Sequence, residues 1–177
     1  NCLFIGNTES AGGTIDFRNT SDAHPIFNNC QFIGPEITAN NHIHFHDSET
    51  GSTFEFNNCY FDNTEFALQF SQGNGIDAEN LVYLNRCVFI NNQNDIAISS
   101  SYVDIFINNS TFYSVQEHPN SYEIIEYTYT YISNSIFWGK SDINSYIQGF
   151  TNLIDYSITS ESGIGNIDAD PQFTDPE

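Results

Sequence analysis

The sequence predicts an all-β fold: a right-handed parallel β-helix, a single-stranded solenoid of about six coils of 23–29 residues with three short strands per coil. Three observations predict it: a recurring anchor, period-two alternation around each anchor, and no convincing run of helical periodicity. The anchor Asn1-Cys2-Leu3-Phe4 returns as Asn29-Cys30-Gln31-Phe32, Asn58-Cys59-Tyr60-Phe61 and Arg86-Cys87-Val88-Phe89, then as Asn109-Ser110-Thr111-Phe112 and Asn134-Ser135-Ile136-Phe137. Its Cys/Ser positions, 2, 30, 59, 87, 110 and 135, are 28, 29, 28, 23 and 25 residues apart. Self-similarity at such a period marks a solenoid, propeller or array.

The local period selects among these. The stretch before each anchor alternates, as in Thr53-Phe54-Glu55-Phe56 and Val103-Asp104-Ile105-Phe106-Ile107; the anchor itself alternates, as in Cys59-Tyr60-Phe61. A third run lies between anchors, as in His42-Ile43-His44-Phe45-His46 and Phe66-Ala67-Leu68-Gln69-Phe70. Period two with aromatic and β-branched enrichment means strands. One such coil cannot bury its apolar side alone, whereas coils stacked at about 4.8 Å share a core and a ladder of backbone hydrogen bonds. Six anchors give a rod about 29 Å long at that spacing. Propeller blades need about 40 residues and antiparallel hairpins, and neither is visible. Coils are expected at about 1–28, 29–57, 58–85, 86–108, 109–133 and 134–159, with an acidic, Pro-containing tail over 160–177.

Composition narrows the partners. Asp and Glu number 23 against 3 Lys and Arg, a net charge of −20, which repels nucleic acid, anionic lipid and polyanionic substrates. Polarity comes instead from neutral residues, 23 of them Asn, which favours turns and amide ladders over helices. No window approaches the roughly 18 apolar residues of a membrane span, and there is no basic segment followed by an apolar one as in a signal peptide. Because the first residues already belong to the repeat, the chain reads as a piece whose start is missing.

The Asn-Cys-x-Phe and Asn-Ser-Ile-Phe-Trp-Gly units, over nearly the whole chain, resemble those of large secreted right-handed β-helix proteins of Bacteroidota-type bacteria. Gly163 to Pro176 resembles the segment after their last full coils. The resemblance implies an extracellular or cell-surface location, an anchor or type IX secretion sorting domain elsewhere in the polypeptide, and flanking β-helix coils or a secretion-machinery component as partners. It is specific for architecture and carries little about activity, because a scaffold hosts many functions.

Stacking places equivalent residues in columns. Cys2, Cys30, Cys59, Cys87, Ser110 and Ser135 form one, expected to hold small inward side chains rather than disulfides or a metal, since in-register neighbours point the same way and the spacings match no zinc motif. Phe4, Phe32, Phe61, Phe89, Phe112 and Phe137 form a second, inward and aromatic. Asn1, Asn29, Asn58, Asn109 and Asn134 form a third, at a bend that needs left-handed backbone, with amides bonded from rung to rung. Arg86 interrupts that column and is expected to pair with a nearby carboxylate.

Three sets of residues are candidates for chemistry. His42, His44, His46 and Asp47 put three imidazoles on one strand face, expected to face solvent opposite Ile43 and Phe45; they are metal-ligand types, with a plain solvated face as the alternative. Asp168, Asp170 and Asp175, with Asp155, offer hard oxygens suited to Ca²⁺, the one cofactor considered, without a calcium-roll or EF-hand pattern. Tyr122, Tyr127, Tyr129, Tyr131 and Trp138 would stack on glycans where alternation turns them outward; core packing is the plain alternative. His24 and His118 sit beside Pro and read as loop residues. The three basic residues, Arg18, Arg86 and Lys140, fall on different coils, so the charge neutralisation a polysaccharide lyase needs is missing, as are the Asp-Asp and Gly-His-Gly signatures of polygalacturonase-like hydrolases. The expectation is therefore a non-catalytic adhesin, stalk or binding scaffold; the alternative is a carbohydrate-binding or polysaccharide-cleaving module.

Overall fold

The computed structural model describes residues 1–6, 13–18, 23–34, 41–46, 51–71, 80–98, 103–113, 124–125, 129–138, 147–148, 151–155 and 157. Its strands form three six-stranded sheets in which every pairing is parallel, stacked as a β-solenoid. Sheet A stacks Leu3–Ile5, Gln31–Ile33, Tyr60–Asp62, Val88–Ile90, Thr111–Tyr113 and Ile136–Trp138. Sheet B stacks Ile15–Arg18, Asn41–His46, Phe66–Ser71, Asn94–Ile98, Ile124–Ile125 and Ile147–Gln148. Sheet C stacks Ile26–Asn28, Thr53–Asn57, Asn80–Asn85, Val103–Asn108, Tyr129–Ser133 and Thr151–Asp155. Consecutive strands of the chain thus enter different sheets, and each pairs with its equivalent from the next repeat.

Register follows from the columns. Phe4 pairs with Phe32, Phe32 with Phe61, Phe61 with Phe89, Phe89 with Phe112 and Phe112 with Phe137. Their rings stack at 4.6–5.0 Å between centroids, with planes within 12° of parallel. That separation is the strand spacing itself, so backbone pairing sets the stacking distance. Shorter phenylalanine stacks rise from the other two sheets, Phe17–Phe45–Phe70 in sheet B and Phe27–Phe56 in sheet C. The stacks meet edge to face, as in Phe56 against Phe61 at 5.9 Å and 69°. Farther up, sheet C replaces Phe27 and Phe56 with Leu84, Ile107, Ile132 and Ile154 at the same inward position.

Two left-handed corners turn the chain around sheet A. At the C-to-A corner, Asn29, Asn58, Arg86, Asn109 and Asn134 all have φ of 50–56°. At the A-to-B corner, Gly6, Asn63 and Asn91 have φ of 52–63°. Asn is the side chain that tolerates this region best, because its short amide bonds locally. The ladder continues through both corners: Asn58 N–H donates to Asn85 O at 2.9 Å and Gly34 N–H to Asp62 O at 2.9 Å. Gly34 is required for a different reason. A Cβ there would lie 2.0 Å from the Asn63 carbonyl oxygen, inside the backbone of the next rung.

The amide ladder is longest one residue ahead of the expected column. Asn57 Nδ2 donates to Asn28 Oδ1 at 3.1 Å, and Asn85 Nδ2 to Asn57 Oδ1 at 3.0 Å. In the corner column, Asn58 donates to Asn29 at 3.2 Å, while Asn134 reaches across to Asn108 at 3.4 Å. Arg86 departs from its expectation. Among the described residues it makes no ion pair; the pair formed is Arg18 Nε to Asp16 Oδ2 at 2.7 Å. Arg86 is exposed and takes the left-handed corner in place of Asn.

Phe61 sits mid-stack with no exposed surface, between Phe32 and Phe89. Phe61→Ala is expected to cost about 3–5 kcal/mol in urea unfolding, whereas Tyr129→Ala, at a residue 53% exposed, shifts the midpoint little.

Candidate functional site

The Cys/Ser column is a hydrogen-bonded seam just after the C-to-A corner. All four cysteines are free thiols; Cys2 is exposed and Cys30, Cys59 and Cys87 are buried. Each buried Sγ donates to the carbonyl two residues earlier: Cys30 to Asn28 O at 3.5 Å, and Cys59 to Asn57 O and Cys87 to Asn85 O, both at 3.7 Å. Cys59 also points at Phe27 O at 3.4 Å, and Cys87 at Phe56 O at 3.3 Å. The serines keep this pattern and add a rung-to-rung bond. Ser110 Oγ accepts from Cys87 N–H, Ser135 Oγ from Ser110 N–H and Ser157 Oγ from Ser135 N–H, at 3.1–3.2 Å. Ser157 extends the column one rung beyond the sequence expectation. Neither Asn nor Phe flanks it at the anchor spacing, so the motif hid it.

The histidine run does not form a solvent face. Ile43 and Phe45 are fully buried, as expected, but His42 and His44 are buried as well, at 4% and 7% exposure. Strict alternation fails at the corner between sheets A and B. There His42 lies against Phe32 and Phe61, ring centroids 5.9 and 6.4 Å away, and its Nε2 is 3.0 Å from Asp62 O. A carbonyl only accepts, so Nε2 carries the proton and the ring is a neutral donor closing the corner. Burial lowers its pKa to about 4, against a smaller raising effect of the Asp62 bond. Asp95, in the same column two rungs on, is also buried and accepts from Asn92 Nδ2 at 2.7 Å. His44 faces Asp16 and Gln69 in register. His46 lies in the strand with its side chain outside the described residues, as is Asp47 altogether. Among the described residues, no group of three or more His, Cys, Asp or Glu side chains is placed to hold a metal ion. Asp168, Asp170 and Asp175, the acidic tail, and His118 lie outside the described residues.

The aromatic candidates divide between two faces. Tyr122 and Tyr127 are outside the described residues. Trp138 is half-buried on sheet A, in register with Tyr113, while Tyr129 and Tyr131 stand exposed on sheet C. Sheet C adds two outward rings that the sequence reading passed over. Tyr83, Phe106 and Tyr131 stack at 4.9 and 4.8 Å, with planes within 17°. Alternation carries the signal: Val82, Leu84, Ile105 and Ile107 point inward, so Tyr83 and Phe106 point out. With Asn108, Ser133 and Asp155 these rings line a shallow groove of about 330 Å³. Rings stacked at rung spacing turn much of their faces toward one another and offer solvent mainly their edges. Elsewhere on the surface, burial, then the neighbouring Asp62 carboxylate, pushes Tyr60 up to about 12, and burial raises Asp62 and Glu65.

No family model, curated protein or solved structure matches the chain.

The His42 environment predicts a pH signature. An unfolded histidine titrates near 6.5 and this folded one near 4, so below pH 6.5 the unfolded chain binds the extra proton and the fold loses stability. The loss grows to about 3 kcal/mol by pH 4 and then levels off. Asp62 and Glu65 act oppositely, because their raised folded pKa values favour the fold as pH falls. The difference between wild type and His42→Gln isolates the effect. Urea midpoints of the two should diverge from pH 7 to pH 4, wild type falling relative to the variant; parallel curves would remove His42 from the account.

Proposed function

We propose that this chain is a non-catalytic segment of a right-handed β-helix of about six coils, serving as a stalk or spacing scaffold within a larger secreted or cell-surface protein. One observation carries the reading: an asparagine column, an outward aromatic column and the serine column are each engaged with their own counterparts on neighbouring rungs. Asn28, Asn57 and Asn85 bond one another, Tyr83, Phe106 and Tyr131 stack on one another, and the serines bond in series. Side chains committed to their own ladders lengthen and stiffen a rod. A catalytic site instead gathers unlike groups around one reacting atom. The extracellular location, the secretion route and flanking coils of the same polypeptide come from the sequence resemblance. The charge of −20 keeps such a rod soluble and repels nucleic acid and anionic surfaces.

A spacer tolerates removal of one whole repeat. Deleting residues 59–86, which joins Asn58 directly to Cys87, should leave a folded protein shorter by about 4.8 Å. Small-angle scattering would read the length and far-UV circular dichroism the fold; a chain that unfolds on this deletion contradicts the reading.

The sheet C groove favours a second reading, glycan binding, because aromatic rings there border amide, hydroxyl and carboxylate groups. In a glycan-binding screen with and without Ca²⁺, the stalk reading expects no ligand. A saccharide whose binding is lost on Phe106→Ser and Tyr131→Ser would replace it with the second.

A further inference from the structure

We propose that Cys59 and Cys87 form a two-coordinate site for a soft monovalent cation of the copper(I) class. Register brings the two thiols together. Tyr60 pairs with Val88, and Val88 N–H donates to Cys59 O at 2.9 Å, so the two cysteines are neighbours one rung apart. Strands stand about 4.8 Å apart. Two metal–sulfur bonds of about 2.3 Å, the zinc–sulfur length taken as a scale, span about 4.6 Å. An ion between the sulfurs therefore fits the ladder without moving the backbone.

The surroundings select the kind of ion. Two sulfurs per gap in a straight column supply a two-coordinate site, which leaves tetrahedral Zn²⁺ short of ligands, and thiolate sulfur prefers soft ions. The sulfurs face carbonyl oxygens, Phe27 O and Asn57 O at Cys59, Phe56 O and Asn85 O at Cys87. Carbonyl dipoles that accept a thiol proton also tolerate a cation in its place.

The chemistry balances with one proton and no electrons. The cation forms a bond to one sulfur of the pair as its proton leaves to solvent. The other sulfur donates a lone pair and keeps its proton on its carbonyl partners. The product is neutral overall, which limits the cost of burying it.

Silver(I) in chloride-free buffer is the redox-inert probe. The Cys2→Ser/Cys30→Ser variant should retain one Ag⁺ per chain after desalting, release one proton on binding and gain thermal stability. Adding Cys59→Ser should lower affinity at least tenfold. Serine is native to this column at Ser110, Ser135 and Ser157, so these variants keep the fold, checked by far-UV circular dichroism. Zn²⁺ at equal concentration should not shift the midpoint. The proposal is overturned by a folded Cys2→Ser/Cys30→Ser variant that retains no ion, by equal retention after Cys59→Ser, or by a midpoint that falls with Ag⁺, the sign of binding to the unfolded chain.

Discussion

In-register parallel pairing of each strand with its equivalent in the next repeat is the constraint on which everything else depends. It fixes one strand spacing across the described rungs, and the side chains inherit it. Phenylalanines stack because the backbone sets them 4.6–5.0 Å apart. Asparagine amides bond because the same spacing brings Oδ1 and Nδ2 of successive rungs within reach. A one-residue slip would turn every inward ring outward, so the core and the register enforce each other.

The corners make that register sustainable. A ladder would break where the chain bends unless backbone groups kept their partners, and here both left-handed corners continue the inter-rung bonds. The chain supplies left-handed backbone mainly with Asn, which then adds its side chain to the ladder. Glycine appears where a side chain would strike backbone, as at Gly34. Arg86 shows that the backbone conformation, rather than the amide, is indispensable at one rung.

Much of this was legible in the sequence. The phenylalanine and Cys/Ser columns could be read from anchor spacing alone, because a stacked repeat converts sequence period into spatial contact. The second corner was legible too, though unread: Gly6, Gly34, Asn63 and Asn91 each follow the column phenylalanine by two residues. Other features were not. Strict alternation turns His42 to solvent, and alternation fails where a strand begins at a corner and its first side chains turn into the core. Ser157 lacked the flanking Asn and Phe that marked its column. The outward stack of Tyr83, Phe106 and Tyr131 needed register, which loops of unequal length conceal.

The inter-rung register is tested most directly by distances along one outward column. Asn28, Asn57, Asn85, Asn108, Ser133 and Asp155 occupy equivalent positions on successive strands of sheet C. Spin labels paired between position 28 and positions 108, 133 and 155 should give pulsed-resonance distances that grow by about 4.8 Å per rung, near 14, 19 and 24 Å. Distances that fail to increase in equal steps, or that shorten toward position 155, would contradict the stacked ladder.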